Sequence, residues 1–176
     1  MTPFTGTIAT AIAVVAIGVG ATAVHDAWTW LRRAFGVAPP DWARVGRWIA
    51  WLPRGRFVHA PIAATAPVRG ERVVGWLAHY AIGIAFAGVL VAFAGPGWLR
   101  APTPGAALLT GFATALAPFL LLQPGLGTGL FARRAPQPWR ARFHTLAAHA
   151  VFGAGLFLAA LAWRAVAPSR SHRRIR

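Results

Sequence analysis

The chain has 176 residues, of which 57% are hydrophobic and only 12% charged, and its mean hydropathy is +0.54. These values exceed what a soluble domain of this length needs, so composition indicates a membrane protein. The 18 basic residues, all arginine, outnumber 3 acidic residues, but they collect between apolar runs, where anionic lipids attract them, which argues against a nucleic-acid partner.

Four apolar runs reach the length of about 20 residues that a helix needs to cross the bilayer core. They cover residues 8–31, 73–94, 105–123 and 143–163. Pro118 predicts a kink in the third run, because proline removes a backbone donor from the helix. The sequence therefore predicts an all-α polytopic membrane protein, with a four-helix transmembrane bundle at residues 1–168 and a basic tail at 169–176.

The arginines predict the direction of the spans. The loops between spans one and two and between spans three and four carry twelve arginines, against six on the opposite side. The positive-inside rule places both arginine-rich loops in the cytoplasm of a bacterial inner membrane and both termini outside, although charge alone would put the basic tail inside. The opening "MTPFTGT" lacks a basic n-region, so an uncleaved first span is favoured over a signal peptide.

The long first loop contains an amphipathic segment, "DWARVGRWIAWL". Asp41 is a candidate N-cap, and apolar residues follow at helical spacing. This pattern predicts a short interfacial helix with Arg44 and Arg47 toward lipid phosphate; packing against the bundle is the alternative. Beyond the helix, Arg54, Arg56 and His59 are candidate contacts for an anionic group, although arginines placed only to set topology would look the same.

An apparent internal repeat links spans two and four. Both contain A-H-x-x-x-G, at residues 78–83 and 148–153. The first and third spans share a weaker echo, "ATAV" and "ATAL". These matches predict two related helical hairpins, as in transporters built from parallel repeats.

Ionisable groups inside spans are costly and often mark function. Asp26, His79 and His149 each lie six or seven residues from the arginine that flanks the span, which places them roughly 9 to 11 Å from its cytoplasmic end. Thr22 lies one turn from Asp26, and Gln123 ends the third span on the same side. We expect these five residues to form a polar site in the cytoplasmic third of the membrane.

Such a site has several possible uses. The first hypothesis is binding or movement of a proton, an ion or a small solute. The second is a redox protein that holds a divalent metal through His79, His149 and Asp26, or a haem through the two histidines. A structural or accessory subunit, in which Asp26 and a histidine merely neutralise each other, is the third. The remaining span histidines, His25 and His144, are predicted to point to other faces.

Other chemistries are disfavoured. The chain contains no cysteine, so thiolate sites are excluded. "QPGLGTG" follows a helix and lacks the P-loop lysine. The spans contain no serine and no paired carboxylates, which argues against familiar hydrolases and leaves an enzymatic role open but not favoured.

Anionic lipids at the cytoplasmic face are the expected partners, together with a second copy or another membrane protein.

Several segments in fixed order carry a resemblance to a known family. They are "GVGATAVHDAW", "VGRW", "PRGRFVHAPIA", "GERVVGWLAHYAIGIAF", "APFLLLQPGLGTG" and "HAVFGAGL". Together they resemble a bacterial family of four-helix membrane proteins, domain of unknown function 2938, over nearly the whole chain to Trp163. The resemblance implies an integral inner-membrane protein, and the family has no established activity to carry over.

Overall fold

The computed structural model describes residues 3–167, so the predicted basic tail lies outside the described residues. Within that range the chain is helical and contains no strand. The helices are α1 (Pro3–Arg33), α2 (Trp42–Trp51), α3 (Glu71–Ala94), α4 (Pro104–Thr114), α5 (Gln123–Leu126) and α6 (Pro138–Val166).

Four helical segments are long and apolar enough to cross a membrane, as predicted. They are Gly6–Arg33, Glu71–Ala94, Pro104–Leu126 and Pro138–Val166. Each extends past the apolar run that predicted it at one or both ends. The all-α fold with four membrane-spanning helices is therefore confirmed.

The third span changes its helical geometry at the predicted proline. After α4 ends at Thr114, a π-helical turn runs over Pro118–Leu122 and leads into α5. The backbone N–H of Gln123 donates to the carbonyl of Pro118, five residues earlier, which is the π-helical pattern. Proline lacks the N–H that would continue the α-helical ladder, which accounts for the change.

Small residues bring the spans into close contact. α1 packs between α3 and α6, and α4 packs on α6. At the crossing of α1 and α6, a side chain on Gly155 would press against the backbone of Ala21. Ile17, Leu90 and Leu156 fill the centre and are almost fully buried. Close approach through small residues is the usual route to helix association in a bilayer, where apolar burial gives little advantage.

The glycine of each A-H-x-x-x-G segment contacts the preceding span, but the contacts differ. A Cβ on Gly83 would meet the hydroxyl of Thr22 and, at 3.4 Å, the carbonyl of Gly18. A Cβ on Gly153 would meet the carbonyl of Ala107 at 2.9 Å and Cα of Gly111 at 3.3 Å. The internal repeat stays a prediction.

The predicted amphipathic helix is present as α2, with the Asp41 side chain accepting a hydrogen bond from the backbone of Ala43. α2 packs on the start of α3, where Gly46 and Gly75 approach so closely that a side chain on either would collide with backbone of the other helix. Of the two placements left open, packing against the bundle is therefore the one observed.

The expectation that Arg47 faces lipid phosphate is wrong. Its guanidinium is buried and bonds both carboxylate oxygens of Glu71, at 2.7 and 2.8 Å. It also donates to the carbonyls of Ile62 and Thr65, at 3.3 and 2.9 Å. The bidentate bond to Glu71 raises the pKa of Arg47. Arg47 of α2 is therefore bonded both to Glu71 of α3 and to the connection that leads to α3.

Candidate functional site

The carboxylate of Asp26 lies at the centre of a polar cluster between α1 and α3. Its Oδ1 is 2.8 Å from Nε2 of His79 and 3.4 Å from Nδ1 of His25, while Oδ2 accepts a hydrogen bond from the hydroxyl of Tyr80 at 3.0 Å. The three acidic and imidazole side chains are between 11% and 16% exposed. Asp26 and His79, which were predicted to share a site, therefore meet.

His25 belongs to this cluster, contrary to the prediction that it points to another face. It is mostly buried, and its ring lies 5.5 Å from the ring of His79. Consecutive helical residues point in different directions, yet Nδ1 of His25 lies 3.4 Å from Oδ1 of the neighbouring Asp26. His144, in contrast, lies apart from the cluster and contacts Arg32 at 3.4 Å.

Aromatic side chains hold the imidazole of His79 in place. The indole of Trp42 stacks on it with centroids 3.9 Å apart and an interplanar angle of 22°. Trp76 presents an edge at 5.8 Å from one turn earlier on α3. Because Trp42 comes from α2, docking of that helix completes the surroundings of the Asp26–His79 pair.

His149 has a different partner from the one predicted. Its Nδ1 is 3.0 Å from the hydroxyl of Thr114, and that hydroxyl donates to the carbonyl of Gly111 at 2.8 Å. Since the hydroxyl has one proton, the bond from His149 places hydrogen on Nδ1 and leaves Nε2 as an acceptor. The imidazole joins spans three and four, as His79 joins spans one and two, and it does not bond Asp26.

A central cavity of about 370 Å³ brings the two predicted histidines to one space. The four spans and α2 form its walls. Its lining is mostly aliphatic and aromatic, and its polar groups come from a few side chains. The polar lining residues are Thr22, His25, His79 and His149.

A second, more polar pocket of about 300 Å³ lies on the α2 side of the cluster. Asp26, Arg33, Asp41 and Arg72 contribute to its lining. Trp42 borders both this outer pocket and the central cavity. The Asp26–His79 hydrogen bond therefore connects a residue of the outer pocket with a residue of the cavity.

The remaining predicted residues of the polar site have structural partners. Thr22 is fully buried and donates to the carbonyl of Gly18 at 2.8 Å, while also lining the cavity. Gln123 donates from Nε2 to the hydroxyl of Thr145 at 3.1 Å and does not line the cavity. Gln123 thus joins the third and fourth spans instead of extending the cluster around Asp26.

The predicted anionic-group contacts gather around Trp51. The guanidinium carbons of Arg54 and Arg56 lie 4.9 and 5.1 Å from its ring centroid, and the His59 ring meets it edge-on at 6.5 Å. His59 is 2% exposed, and its Nδ1 is 2.9 Å from the hydroxyl of Thr65. Burial, followed by the charge of Arg56, lowers the pKa of His59, which keeps the imidazole neutral at pH 7.

Three groups also have the donor chemistry of a metal site. One ring nitrogen of His25, one carboxylate oxygen of Asp26 and one ring nitrogen of His79 lie within 4.8 Å of one another. Two imidazoles and a carboxylate suit zinc or iron. The predicted set of three ligands contained His149 instead of His25. In the structure His149 is hydrogen-bonded to Thr114, and His25 is the second histidine close to Asp26.

Sequence reasoning also missed Tyr80 and Trp42. Tyr80 follows His79 directly and was visible as the single tyrosine of the chain. Trp42 could be recognised only as part of an apolar stripe, since its contact with His79 depends on how α2 docks.

Together these features define a four-span membrane protein with a mostly apolar cavity between its helices and an Asp–His cluster at the edge of that cavity. The family model described as "Protein of unknown function (DUF2938)" matches residues 15–163. The chain belongs to this family, in agreement with the resemblance seen in its segments. No match was found among curated proteins or among solved structures.

Proposed function

We propose that the protein binds a small, mostly apolar solute in the central cavity, with the polar group of that solute at His79. The supporting observation is the cavity itself, whose size falls in the range typical of small-molecule sites. Its walls suit an apolar body, while a few imidazole and hydroxyl groups would fix the orientation of one polar group. The inner leaflet of a bacterial membrane is the expected source of the solute.

The Asp26 cluster supports a further part of this proposal. Asp26 accepts bonds from three side chains, so His79 is held in one orientation at the cavity wall. The outer pocket reaches Asp26 from the α2 side. Hydrogen-bonded groups that connect two cavities are the arrangement that proton exchange between them requires, and binding coupled to a proton is the mechanism we infer.

A photoreactive probe tests solute binding. An octanol that carries a diazirine has an apolar chain and one hydroxyl, and we expect it to label side chains of the cavity wall, with unlabelled octanol as competitor. Ala148→Leu places a larger side chain in the cavity and should lower labelling by about tenfold or more, since overpacking costs about 1 to 3 kcal/mol and about 1.4 kcal/mol corresponds to tenfold in affinity. Mass spectrometry of peptides measures the label.

Ala162→Leu is the matched control, because Ala162 lies on the same helix but is exposed. It should label like the wild type. Labelling spread evenly over lipid-facing residues, or equal labelling of both variants, would contradict the proposal.

The second candidate function is a metal centre, which the His25–Asp26–His79 geometry favours. We expect purified protein loaded with Co²⁺ to show d–d absorption bands that disappear in His25→Gln and persist in His144→Gln. Metal analysis should give one ion per chain. The absorption spectrum also tests the haem hypothesis. That hypothesis predicts a Soret band that is lost when either His79 or His149 is replaced. Absence of all these bands would leave solute binding as the only candidate of the two.

A further inference from the structure

A cluster of basic and aromatic side chains that contains unpartnered buried nitrogens lies at the end of α2, away from the Asp26 site. We call it the Trp51 cluster and define it as Trp51, Arg54, Arg56 and His59. Both guanidinium groups lie within 5.1 Å of the Trp51 ring centroid. Each cation–π contact places one guanidinium charge against the same indole ring.

Two buried nitrogens of the cluster have no hydrogen-bond partner among the described residues. They are Nε1 of Trp51 and Nε2 of His59. Buried polar atoms without a partner in the chain are rare in proteins, and a bound water or ion commonly satisfies them. When the hydroxyl of Thr65 donates to Nδ1 of His59, the ring proton sits on Nε2. Both nitrogens are then donors.

Among the described residues, no carboxylate reaches the cluster. The three acidic residues of the chain are engaged elsewhere: Asp26 with His79, Glu71 with Arg47, and Asp41 with Arg44. The hydrogen bond from Arg54 goes to the carbonyl of Ala50, at 3.1 Å. The two guanidinium groups at the Trp51 ring and the two unpartnered nitrogens therefore have no counter-anion among the described residues.

We propose that the Trp51 cluster binds a phosphate-type anion. A phosphate offers several acceptor oxygens, and guanidinium groups bind it through short charge-assisted bonds. Both arginines are exposed, so their side chains can rotate to admit the anion between the guanidinium groups and the buried N–H groups. The anion would thereby satisfy the two buried donors and supply a counter-charge to the two guanidinium groups.

The phosphate has two possible sources, a lipid headgroup and a free phosphate compound. Phe57 and Val58, which lie between Arg56 and His59 in the chain, are 63% and 62% exposed. Apolar side chains beside arginines suit the boundary between acyl chains and headgroups. This arrangement favours the headgroup, and competition with inorganic phosphate separates the two sources.

The test uses full-length protein in phosphatidylcholine nanodiscs doped with phosphatidylglycerol, read by native mass spectrometry. We expect a phosphatidylglycerol adduct whose apparent affinity falls about tenfold or more in the double variant Arg54→Gln, Arg56→Gln, since each charge-assisted bond contributes more than a neutral one. Both residues are exposed, so the melting temperature should stay unchanged and exclude unfolding as the cause. In a parallel arm, inorganic phosphate is added as the competitor.

Arg140→Gln is the matched control. Arg140 also lies over a tryptophan ring, at 5.9 Å from Trp139, but no buried unpartnered nitrogen accompanies that pair among the described residues. Loss of the adduct in the double variant alone supports the site; displacement by inorganic phosphate then assigns it to a free phosphate compound, and resistance to displacement assigns it to a lipid. Equal loss in Arg140→Gln, or no adduct in any variant, overturns the proposal.

Discussion

Replacing Glu71 by glutamine is expected to lower the free energy of unfolding by about 3 to 5 kcal/mol, the usual effect of removing one partner from a buried ion pair. The guanidinium of Arg47 would stay buried without its counter-charge. Glutamine also offers one acceptor oxygen where the carboxylate offers two, and one of those oxygens accepts from the backbone of Val68 at 2.7 Å. Chemical denaturation in detergent, followed by circular dichroism, measures the change.

Asp41→Asn is the matched control. The Asp41–Arg44 pair is similar in length, at 3.0 Å, but both side chains are about half exposed. Exposed pairs contribute about 0 to 1 kcal/mol, and asparagine remains a good N-cap for α2. If both variants lost the same stability, the burial of the Arg47–Glu71 pair would not be what stabilises α2.

Glu71→Gln should also change binding in the central cavity. Arg47 is the residue that ties α2 to α3 and to the following connection, and α2 supplies Trp42 and Trp48 to the cavity lining. When α2 is less firmly docked, the cavity loses the wall that α2 contributes. Glu71→Gln is therefore expected to weaken labelling by the octanol probe although Glu71 does not line the cavity.

The spans and α2 could be predicted because the signals for them are local. Each span needs only a run of apolar residues, and α2 needs only a cap and a period of 3.6 residues. Even the kink at Pro118 follows from a single residue. The buried position of Arg47 could not be predicted, since it depends on Glu71, which lies 24 residues away in sequence.

The sequence predicted that three side chains share a level along the spans, but it could not predict all of their partners. A fixed rise per residue predicts Asp26 and His79 at one level, and the structure shows that they are in contact. His149 was predicted at the same level, but its partner is Thr114. His25 was missed because helical period alone assigns consecutive residues to different directions, whereas its ring nitrogen lies 3.4 Å from Asp26. A level follows from counting along one helix, whereas contact depends on the order and rotation of all four.

Gly75→Ala is expected to destabilise the protein by about 3 kcal/mol, at the upper end of overpacking effects. A Cβ on Gly75 would collide with the carbonyl of Trp42, and backbone cannot move aside as a flexible side chain can. α2 would have to shift away from α3, which would separate Trp42 from His79. This loss exceeds the gain of about 1 kcal/mol that alanine brings to a helix.

Gly88→Ala, on the same helix, separates the steric cost of the added methyl group from the gain in helix propensity. The nearest atom to a Cβ at Gly88 is Cγ1 of Val14, at 3.7 Å, an ordinary van der Waals distance. Alanine should therefore be neutral or stabilising there, and octanol labelling should persist, whereas Gly75→Ala should lose both stability and labelling. Equal stability of the two variants would mean that α2 does not rest on α3 at Gly75. The Arg47–Glu71 ion pair would then remain as the contact that keeps α2 at the cavity wall.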